Sequence, residues 1–334
     1  MKIAFFEIAE WEKSHCEEAL KDNELLFTDQ KVQHCQDQSF FQAEIISPFI
    51  YSTLNKETLQ KFPNLRLITT RSTGYDHIDL AYCQEKGITV ANVPSYGAHS
   101  VAEHTLALIF AISRKIIESV NRSRRGDFGF EGLRGFDISG KTLGVIGSGK
   151  IGTKVIKLAL ALEMKVLVSS HHPEELPKDP NLASVSFDEV ISKADIVTLH
   201  VPYTQETHHM INRDNLKQFK KGSVLINTAR GGLIETRAIL EGLEQGIFRG
   251  VGLDVLEEEN FLKEEKELQA SDFLNSPEVA TRLLDHMLLD RDDVLYTSHN
   301  AFNSEESDNE ILRVTHENIT AFIVGSAQNT IKAS

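Results

Sequence analysis

The sequence has few cysteines and lacks a long apolar run. Its three cysteines, Cys16, Cys35 and Cys83, are scattered, odd in number and without metal-ligand spacing, so neither a disulfide framework nor a zinc site is indicated. No apolar stretch approaches the ~18 residues of a membrane helix, and the chain starts directly with a strand-like segment, Lys2–Ile8, rather than a signal peptide. These absences predict a cytoplasmic protein with reduced thiols and no membrane partner.

Positive charge is also scarce. The 35 lysines and arginines face 49 aspartates and glutamates, for a net charge of −14, and an acidic surface is a poor ligand for nucleic-acid phosphates. The basic cluster Arg122–Arg125 is short and is interpreted as a helix end or a subunit contact. The histidine pairs His171-His172 and His208-His209 have no further ligands at metal spacing, so we predict solvated loops and no metal site.

Length and patterning indicate two domains of the α/β class. A chain of 334 residues, 41% apolar and 25% charged, has the composition of a globular protein and exceeds one ordinary core. In the first hundred residues strand-like and helix-like segments alternate, as expected of a parallel, doubly wound sheet. The predicted strands are 2–8, 25–28, 43–49, 65–70 and 88–93, and the predicted helices are 10–20, 56–62 and 78–86.

A glycine-rich turn, Gly147-Ser-Gly-Lys-Ile-Gly152, organises the second domain. It follows a short apolar strand, 143–146, and precedes a helical pattern and a further strand, 165–169. In such a turn the first glycine permits the tight bend, the second lets the backbone approach a pyrophosphate, and the third lets the helix pack on the strand. The phosphates would bind at the helix N-terminus. We therefore predict a dinucleotide site rather than an ordinary strand–helix turn.

Strands and helices alternate again after this turn. Further strands are predicted at 195–201, 223–228, 250–255 and 294–298, with helices starting near Phe187, Asp214 and Thr236. A looser, acidic stretch at 257–293 is interpreted as a surface insertion, and a final amphipathic helix, 311–324, can pack back on the first unit. The prediction is a Rossmann-type nucleotide domain, 100–299, inserted in a flavodoxin-like substrate domain, 1–99 and 300–334.

One long helix, from His99 to about Ser123, is predicted between the two alternating regions. The segment after it, Gly126–Phe136, holds three phenylalanines among glycines and is interpreted as an arm. Aromatic side chains on an arm should be buried, and a second subunit is the expected place. We therefore predict a homodimer formed through residues 99–136.

Three chemically active side chains follow predicted strands or the loop after them: Arg230, Glu259 and His299. In open α/β sheets ligands bind beyond the carboxyl ends of the strands. A guanidinium suits a substrate carboxylate. A histidine is a natural proton donor near neutral pH, and a neighbouring carboxylate would favour its imidazolium form. From spacing alone, a surface ion pair, an acidic loop and a strand-capping histidine stay open as alternatives.

Together the motifs resemble the D-isomer-specific 2-hydroxyacid dehydrogenase family. The matching stretches are the glycine turn, His200-Val-Pro202, Asn227-Thr-Ala-Arg230-Gly-Gly, Gly252-Leu-Asp254-Val and Ser298-His299-Asn-Ala-Phe302. The similarity runs from about residue 2 to 325. The stretches Val93–His104 and Phe128–Phe136 are similar to the D-lactate dehydrogenase branch. The resemblance implies a nicotinamide-dependent oxidoreductase acting on a small 2-oxo or 2-hydroxy acid.

The resemblance also implies a role for each matched catalytic residue. Arg230 would bind the substrate carboxylate and polarise the C2 carbonyl. His299 would donate a proton to the carbonyl oxygen, and Glu259 would keep His299 protonated. Asp254 is similar to a carboxylate near the nicotinamide that tunes the pH range. The implied reaction is hydride transfer to pyruvate, which gives D-lactate.

The first domain is expected to contribute to substrate binding. By resemblance, backbone amides of Thr73 and Gly74 would hold the substrate carboxylate, and Tyr96 would line the pocket. Domain closure would exclude water and bring Gly74 and Arg230 onto the same carboxylate. A plain turn at Thr73-Gly74 and plain packing of Tyr96 are the alternatives.

The residues expected to contact the dinucleotide lie on several turns. They are Gly147, Gly149, Lys150, Ile151, Gly152, Ser170, His171, His200, Val201, Pro202, Thr207, Thr228, Ala229, Arg230, Asp254 and His299. NAD-preferring members carry an acidic residue where this chain has Ser170, and that carboxylate binds the ribose hydroxyls. Without it NADP(H) is less strongly excluded, although no arginine follows. NAD(H) is the favoured cofactor and NADP(H) the alternative.

Two other functions stay open on the sequence. A reductase of the same family could act on a bulkier 2-oxo acid, such as 2-oxoisocaproate, or on hydroxypyruvate, because Phe49, Ile50 and Tyr51 wall a pocket of unknown volume. A nucleotide-sensing binding protein, like the corepressor relatives, could use NAD(H) to switch assembly. The retained catalytic set favours the enzyme.

Overall fold

The computed structural model describes residues 1–257 and 277–332. The chain divides into two compact units. The first unit consists of Met1–Tyr96 and Asn303–Ser334, and the second is Gly97–Phe302. Among the described helices, none combines the length and apolar character needed to cross a lipid bilayer.

The first unit is built on a sheet in which five neighbouring strands are parallel and a short edge strand is antiparallel. The strands are β1 (Lys2–Phe5), β2 (Glu24–Phe27), β3 (Ile45–Ser47), β4 (Leu67–Thr69), β5 (Thr89–Ala91) and β13 (Thr330–Ile331), in the order β13-β5-β4-β3-β1-β2. Strands β1 to β5 have the order of flavodoxin-like folds, as predicted. The antiparallel β13 was not predicted, because two residues carry no recognisable strand pattern.

Helices cover both faces of this sheet. They are α1 (Glu10–Ala19), α2 (Lys56–Leu59), α3 (Leu80–Lys86) and the C-terminal α10 (Glu305–Ile323). Alternate residues of β1 point to opposite faces. Ile3 and Phe5 pack with Leu312 and Ile319 of α10, while Ala4 lies in the core on the other face.

The C-terminal helix begins six residues before the predicted position 311. The Ser304 hydroxyl accepts a hydrogen bond from the Ser307 amide at 3.2 Å, which caps the N-terminus. Glu305, Glu306 and Asp308 stand in the first turn, where negative charge is favourable. The apolar periodicity that defined the prediction starts only after this charged turn.

The second unit is built on a sheet of seven described strands, all parallel. They are β6 (Thr142–Ile146), β7 (Lys165–Ser169), β8 (Leu182–Ser184), β9 (Ile196–Leu199), β10 (Ser223–Asn227), β11 (Phe248–Leu253) and β12 (Val294–Tyr296), in the order β12-β11-β10-β9-β6-β7-β8. This is the Rossmann order with one further strand, and the order reverses between β6 and β9. The short β8 was not predicted.

The helices of the second unit include two departures from prediction. They are α4 (Ala98–Ser113), α5 (Ile116–Arg124), α6 (Lys150–Ala161), α7 (Phe187–Lys193), α8 (Thr236–Glu244) and α9 (Pro277–Leu289). The single helix predicted from His99 to Ser123 is wrong: it breaks at Lys115, with φ +54°. The Ser113 carbonyl, which would continue the helix, accepts the Phe136 amide at 2.8 Å instead.

The helix predicted near Asp214 is also wrong. The segment forms only a short turn of 3₁₀ helix, Leu216–Gln218. The Asn212 side-chain oxygen accepts the amides of Asp214 and Asn215 at 3.0 and 3.2 Å, and this local bonding competes with helix formation. Of the predicted acidic insertion, 258–276 lies outside the described residues.

The arm after α5 is only partly as predicted. Phe128 and Phe130 are 82% and 83% exposed. Phe136 instead packs against the core of its own unit, with the Arg249 guanidinium 4.2 Å from the centre of its ring. The expectation that all three aromatic side chains need a second subunit is therefore wrong for Phe136.

Candidate active site

The turn after β6 brings main-chain groups unusually close together. Gly147 has φ +96°, and a Cβ there would lie 2.6 Å from the His200 carbonyl oxygen. A Cβ on Gly152, in the first turn of α6, would lie 2.0 Å from the Gly147 carbonyl oxygen. Gly149 differs, since a Cβ there would meet nothing within 4 Å. Gly147 and Gly152 therefore permit the close main-chain contacts of the turn, and Gly149 leaves the surface before the helix open.

This open surface fits the pyrophosphate of a dinucleotide. α6 begins at Lys150, directly after Gly149, so its first main-chain N–H groups and the positive end of its dipole lie at the turn. Lys150 is exposed, whereas Ile151 packs against the core and anchors the start of the helix. A side chain at Gly149 would occupy the space through which a phosphate approaches.

The end of β7 presents hydroxyls where an acidic residue is usual. Ser170 Oγ lies 2.5 Å from Ser148 Oγ and accepts the His172 amide at 3.0 Å. His171 is exposed beside it. Hydroxyls can bond ribose oxygens, but they lack the charge that repels a 2′-phosphate.

The turn after β9, His200-Val201-Pro202, packs against the glycine turn. His200 Nε2 lies 3.0 Å from Thr198 Oγ1, and burial lowers the pKa of His200 to about 3. The imidazole is therefore neutral at physiological pH and cannot act as a cationic acid. Thr207 Oγ1 donates to the Pro202 carbonyl at 2.8 Å and closes the turn that follows.

Arg230 follows β10 in a turn held by the buried Asn227. The Asn227 Nδ2 donates to the Arg230 carbonyl at 2.9 Å, and its Oδ1 accepts the Ala229 amide at 3.0 Å. Thr228 Oγ1 lies 3.0 Å from Thr105 Oγ1 of α4. The half-buried guanidinium donates from Nη1 to the Ala229 carbonyl at 2.7 Å. The turn thus gives the arginine a defined main-chain position at the strand end.

Asp254, directly after β11, is 1% exposed and binds the loop that follows β12. Its Oδ1 accepts the Asn300 amide at 2.8 Å and the Thr297 hydroxyl at 2.5 Å, and its Oδ2 accepts the Ala301 amide at 2.9 Å. His299 has φ +53°, a conformation that costs a non-glycine residue ~1 kcal/mol or more. Asp254 therefore stabilises the loop that carries the predicted proton donor.

Arg230, Asp254 and His299 lie at one end of the sheet because the strands before them are neighbours. The last residues of these strands pair in register, Asn227 with Leu253 and Leu253 with Tyr296. Neighbouring strands are about 4.8 Å apart, so the three residues follow adjacent positions at the carboxyl edge. A guanidinium and an imidazole placed in this way can bind a carboxylate and exchange a proton. Glu259, the predicted partner of His299, lies outside the described residues.

In the first unit, side-chain hydrogen bonds fix the loop after β4. Ser72 Oγ donates to the Gly74 carbonyl at 2.6 Å, and Asn92 Nδ2 donates to the Thr73 carbonyl at 2.8 Å. These bonds orient the peptide groups of the predicted carboxylate-binding turn. Tyr96, at the end of this segment, is half-buried. The substrate roles of Thr73, Gly74 and Tyr96 stay predictions.

The same loop begins with a buried cation that the sequence did not reveal. Arg71 is 1% exposed. It donates from Nη2 to the carbonyls of Phe6 and Glu7 at 2.9 and 2.8 Å, and from Nη1 to the Ser47 carbonyl at 2.8 Å. An arginine next to an apolar strand was the available signal, but its partners come from distant parts of the chain.

A contact between His209 and Glu257 beside the Arg230 turn was also missed. His209 Nε2 lies 2.6 Å from Glu257 Oε1, and Glu257 Oε2 accepts the amide and hydroxyl of Thr236 at 3.1 and 2.9 Å. The prediction of a solvated loop is therefore wrong for His209, because its partner lies 48 residues further along the chain. His171 and His172 are exposed.

Known proteins resemble this chain over most of its length. Residues 106–301 match the family described as the NAD binding domain of D-isomer specific 2-hydroxyacid dehydrogenase. A 2-hydroxyacid dehydrogenase homolog of Haemophilus influenzae is 32% identical over 323 residues, 96% of this chain and 95% of that protein. A glycerate dehydrogenase of Methylorubrum extorquens is 34% identical over 286 residues, 84% of this chain and 83% of that protein.

A solved structure is similar over the whole chain. The D-lactate dehydrogenase of Aquifex aeolicus, complexed with NAD and lactic acid, has 35% identity and a TM-score of 0.85, with 99% of each chain covered. The Rossmann sheet and its glycine turn define a dinucleotide-binding α/β protein. The chain belongs to the D-isomer-specific 2-hydroxyacid dehydrogenase family, whose members are NAD-dependent oxidoreductases. The predicted family, enzyme class and fold class are confirmed.

Proposed function

We propose that this protein is a D-lactate dehydrogenase, which interconverts pyruvate and D-lactate with a nicotinamide dinucleotide. The observation that carries the proposal is that Arg230 and the His299 loop follow β10 and β12, the two strands that flank β11, at one end of the sheet in the unit that bears the glycine turn. The lactate branch is supported by Ala301-Phe302 after His299 and by the similarity to an Aquifex aeolicus enzyme described with NAD and lactic acid.

In this mechanism each charged group has one task. Arg230 binds the substrate carboxylate through the planar fork of its guanidinium and polarises the adjacent carbonyl. A nicotinamide dinucleotide held at the glycine turn would supply the hydride for C2. His299 donates a proton to the carbonyl oxygen, and in the oxidative direction its neutral imidazole accepts that proton. Glu259 favours the imidazolium form of His299, and Asp254 keeps the loop of His299 in place.

Reduction of hydroxypyruvate is the second candidate. It is favoured by the 34% identity to a glycerate dehydrogenase. Hydroxypyruvate differs from pyruvate by one hydroxyl, and an apolar pocket discriminates against an added hydroxyl by only about 100-fold or less. The two functions therefore differ in kinetics rather than in the catalytic groups they require.

The test is steady-state reduction of pyruvate, hydroxypyruvate and 2-oxoisocaproate, followed by the absorbance of NADH or NADPH. We expect the highest kcat/KM with pyruvate, and chiral chromatography should show D-lactate. His299→Ala should lower kcat by ~100-fold or more, as for loss of a positioned acid. His15→Ala, which removes an exposed histidine of α1, is the control. Near-parent turnover in His299→Ala would contradict the mechanism, and a preference for hydroxypyruvate would select the second candidate.

We propose NAD(H) as the preferred cofactor and NADP(H) as a usable one. NAD(H) is supported by the match to an NAD binding domain, and NADP(H) by the hydroxyl pair of Ser148 and Ser170, which stands where a carboxylate would exclude a 2′-phosphate. Ser170→Asp should restore that repulsion and raise the ratio of kcat/KM for NADH over NADPH by about tenfold or more. Ser184→Asp, which adds the same charge to an exposed serine of β8, should leave the ratio unchanged.

We further propose a homodimer in which a second copy covers the arm. Phe128 and Phe130 are more than four-fifths exposed, and Ile116, Ile117 and Val120 of α5 are also exposed. Large aromatic side chains each bury about 150–250 Å² in an interface. The double variant Phe128→Ser/Phe130→Ser should elute as a monomer with half the mass by light scattering.

Val324→Ser, at another exposed apolar residue, is the control for the dimer test and should behave as the parent does. A parent protein that is itself monomeric would contradict the dimer and leave the proposed chemistry standing. We also propose that the nucleotide domain predicted at 100–299 corresponds to the unit Gly97–Phe302. A cytoplasmic location is supported by the three buried, unbridged cysteines.

A further inference from the structure

We infer that His104 of α4 is a positioning residue for the His299 loop, an inference that rests on the proposed function of His299. The His104 side chain is 20% exposed. Its Nε2 lies 2.9 Å from Thr297 Oγ1 and 3.6 Å from Asp254 Oδ1. Thus a histidine from the helix that precedes the sheet reaches the loop after the last strand, 193 residues further along the chain.

The direction of the hydrogen bonds follows from the groups involved. A carboxylate can only accept, and a threonine hydroxyl has a single proton. The Thr297 proton is donated to Asp254 Oδ1 at 2.5 Å. Thr297 Oγ1 must therefore accept from His104, so His104 carries a proton on Nε2. His104, Thr297 and Asp254 form a directed chain of hydrogen bonds in which His104 donates to Thr297 and Thr297 donates to the Asp254 carboxylate; we call it the His104 chain.

The His104 chain ends on the main chain around His299. Asp254 accepts the Asn300 amide at 2.8 Å and the Ala301 amide at 2.9 Å, the two peptide groups that directly follow His299. The His299 amide donates to the Asp254 and Thr297 carbonyls, each at 2.8 Å. These bonds hold His299 at φ +53°, which is unfavourable for this residue without support. The direction of the imidazole thus depends on the His104 chain.

The turn that carries Arg230 is held by a separate set of bonds. Asn227 donates to the Arg230 carbonyl and accepts the Ala229 amide, and neither bond involves His104. Loss of the His104 donor should therefore disturb the orientation of the acid more than it disturbs carboxylate binding. The expected signature is a lower kcat with little change in KM.

The kinetic test compares two substitutions of one residue. His104→Leu removes the donor, whereas His104→Gln keeps an N–H near the position of Nε2. With pyruvate and NADH, His104→Leu should lower kcat by about tenfold, the scale expected when a buried acceptor loses its donor. His104→Gln should recover most of this loss. The KM for pyruvate and the Kd for NADH should change by less than about twofold in both variants.

Two further variants separate positioning from general destabilisation. Thr297→Val removes the next link, so the double variant His104→Leu/Thr297→Val should lose little more kcat than the worse single variant. His316→Leu removes a half-buried histidine of the other unit and should leave kcat at the parent value. Equal losses in His104→Leu and His104→Gln, or a kcat in His104→Leu of more than half the parent value, would overturn the inference.

A spectroscopic measurement keeps this inference distinct from the proposed function. The ¹⁵N chemical shifts of the His104 ring should show a protonated Nε2 whether or not the protein reduces pyruvate. A ring protonated only on Nδ1 would overturn the inference. If the shifts agree but no 2-oxo acid is reduced with NADH or NADPH, the proposed function fails, while the His104 chain stands as a support of the loop alone.

Discussion

The two units place loops at the same end of a parallel sheet but hold them in different ways. In the first unit, the segments after β1 and β4 and the last residue of β3 meet at one buried cation, Arg71, which donates to three main-chain carbonyls. In the second unit, the turn after β6 is held by contacts between main-chain groups that the glycines Gly147 and Gly152 permit. One unit uses a long side chain where the other requires side chains to be absent.

In the first unit the Glu7 carboxylate adds further hydrogen bonds to the loops held by Arg71. Glu7, at φ +54°, accepts the amides of Phe49 and Tyr51 at 3.0 and 2.8 Å and the Ser52 hydroxyl at 2.5 Å. Asp254 plays the corresponding part in the second unit. The difference follows from the proposed ligands, because a pyrophosphate must approach the backbone itself. The loop after β4, where a much smaller carboxylate is predicted to bind, is tied by a buried charge.

The largest effect should come from Arg71→Met. The substitution leaves three carbonyls without their donor, two of them on buried residues, at ~1–3 kcal/mol each with partial relaxation. We expect the first unit to lose about 4 kcal/mol of stability. The single tryptophan, Trp11 on α1, reports unfolding of this unit by its fluorescence in urea. Arg66→Met, at an exposed guanidinium, should change stability by less than about 1 kcal/mol. If Arg71→Met also lost less than about 1 kcal/mol of stability, the role given to Arg71 would be refuted.

Two glycine substitutions in the second unit test whether its turn depends on the absence of side chains. Gly152→Ala places a Cβ 2.0 Å from a main-chain oxygen and should cost about 3 kcal/mol. Gly149→Ala meets nothing in the protein and should leave stability unchanged, yet weaken NADH binding by ~2 kcal/mol or more. Urea unfolding followed by circular dichroism and titration of NADH fluorescence give the two quantities. Unchanged NADH affinity in Gly149→Ala would place the pyrophosphate elsewhere.

The sequence predicted those parts of the fold that depend on local patterns. Alternation of apolar strands with amphipathic helices led to both parallel sheets, and the predicted strand 165–169 agrees with the structure at both ends. The long helix from His99 failed because a distant amide, that of Phe136, takes the Ser113 carbonyl. Tertiary hydrogen bonds of this kind leave no periodic signal in the sequence.

The candidate site divides in the same way. The glycine turn and the strand-end positions of Arg230 and His299 were accessible, because spacing after a strand is a local property. The contributions of Arg71 and His104 were not, because each depends on partners from other strands or helices. Side chains that hold a site in place are therefore harder to predict than the groups that perform the chemistry.

The smallest of the expected differences concerns a half-buried histidine in each unit. Burial lowers the pKa of His200 to about 3, and burial together with the charges of His15 and Arg71 lowers that of His316 to about 4. An unfolded histidine has a pKa of about 6.5. Between these values the unfolded chain binds protons that the folded chain does not. The stability that depends on these groups is therefore complete above about pH 6.5 and is lost as the pH falls, toward about 4 for His316 and about 3 for His200.

For His200 alone, a change from pH 7 to pH 5 should cost the second unit ~2 kcal/mol. His200→Gln cannot titrate, so this part of the acid sensitivity should disappear, although the variant starts from a lower stability at pH 7. Urea unfolding at the two pH values, with circular dichroism for the second unit and Trp11 fluorescence for the first, separates the contributions. His171→Gln, at an exposed histidine, should keep the sensitivity of the parent. Equal acid sensitivity in His200→Gln and the parent would mean that His200 is not held neutral by burial. The packing of the His200 turn against the glycine turn would then contribute nothing to the acid sensitivity of the second unit.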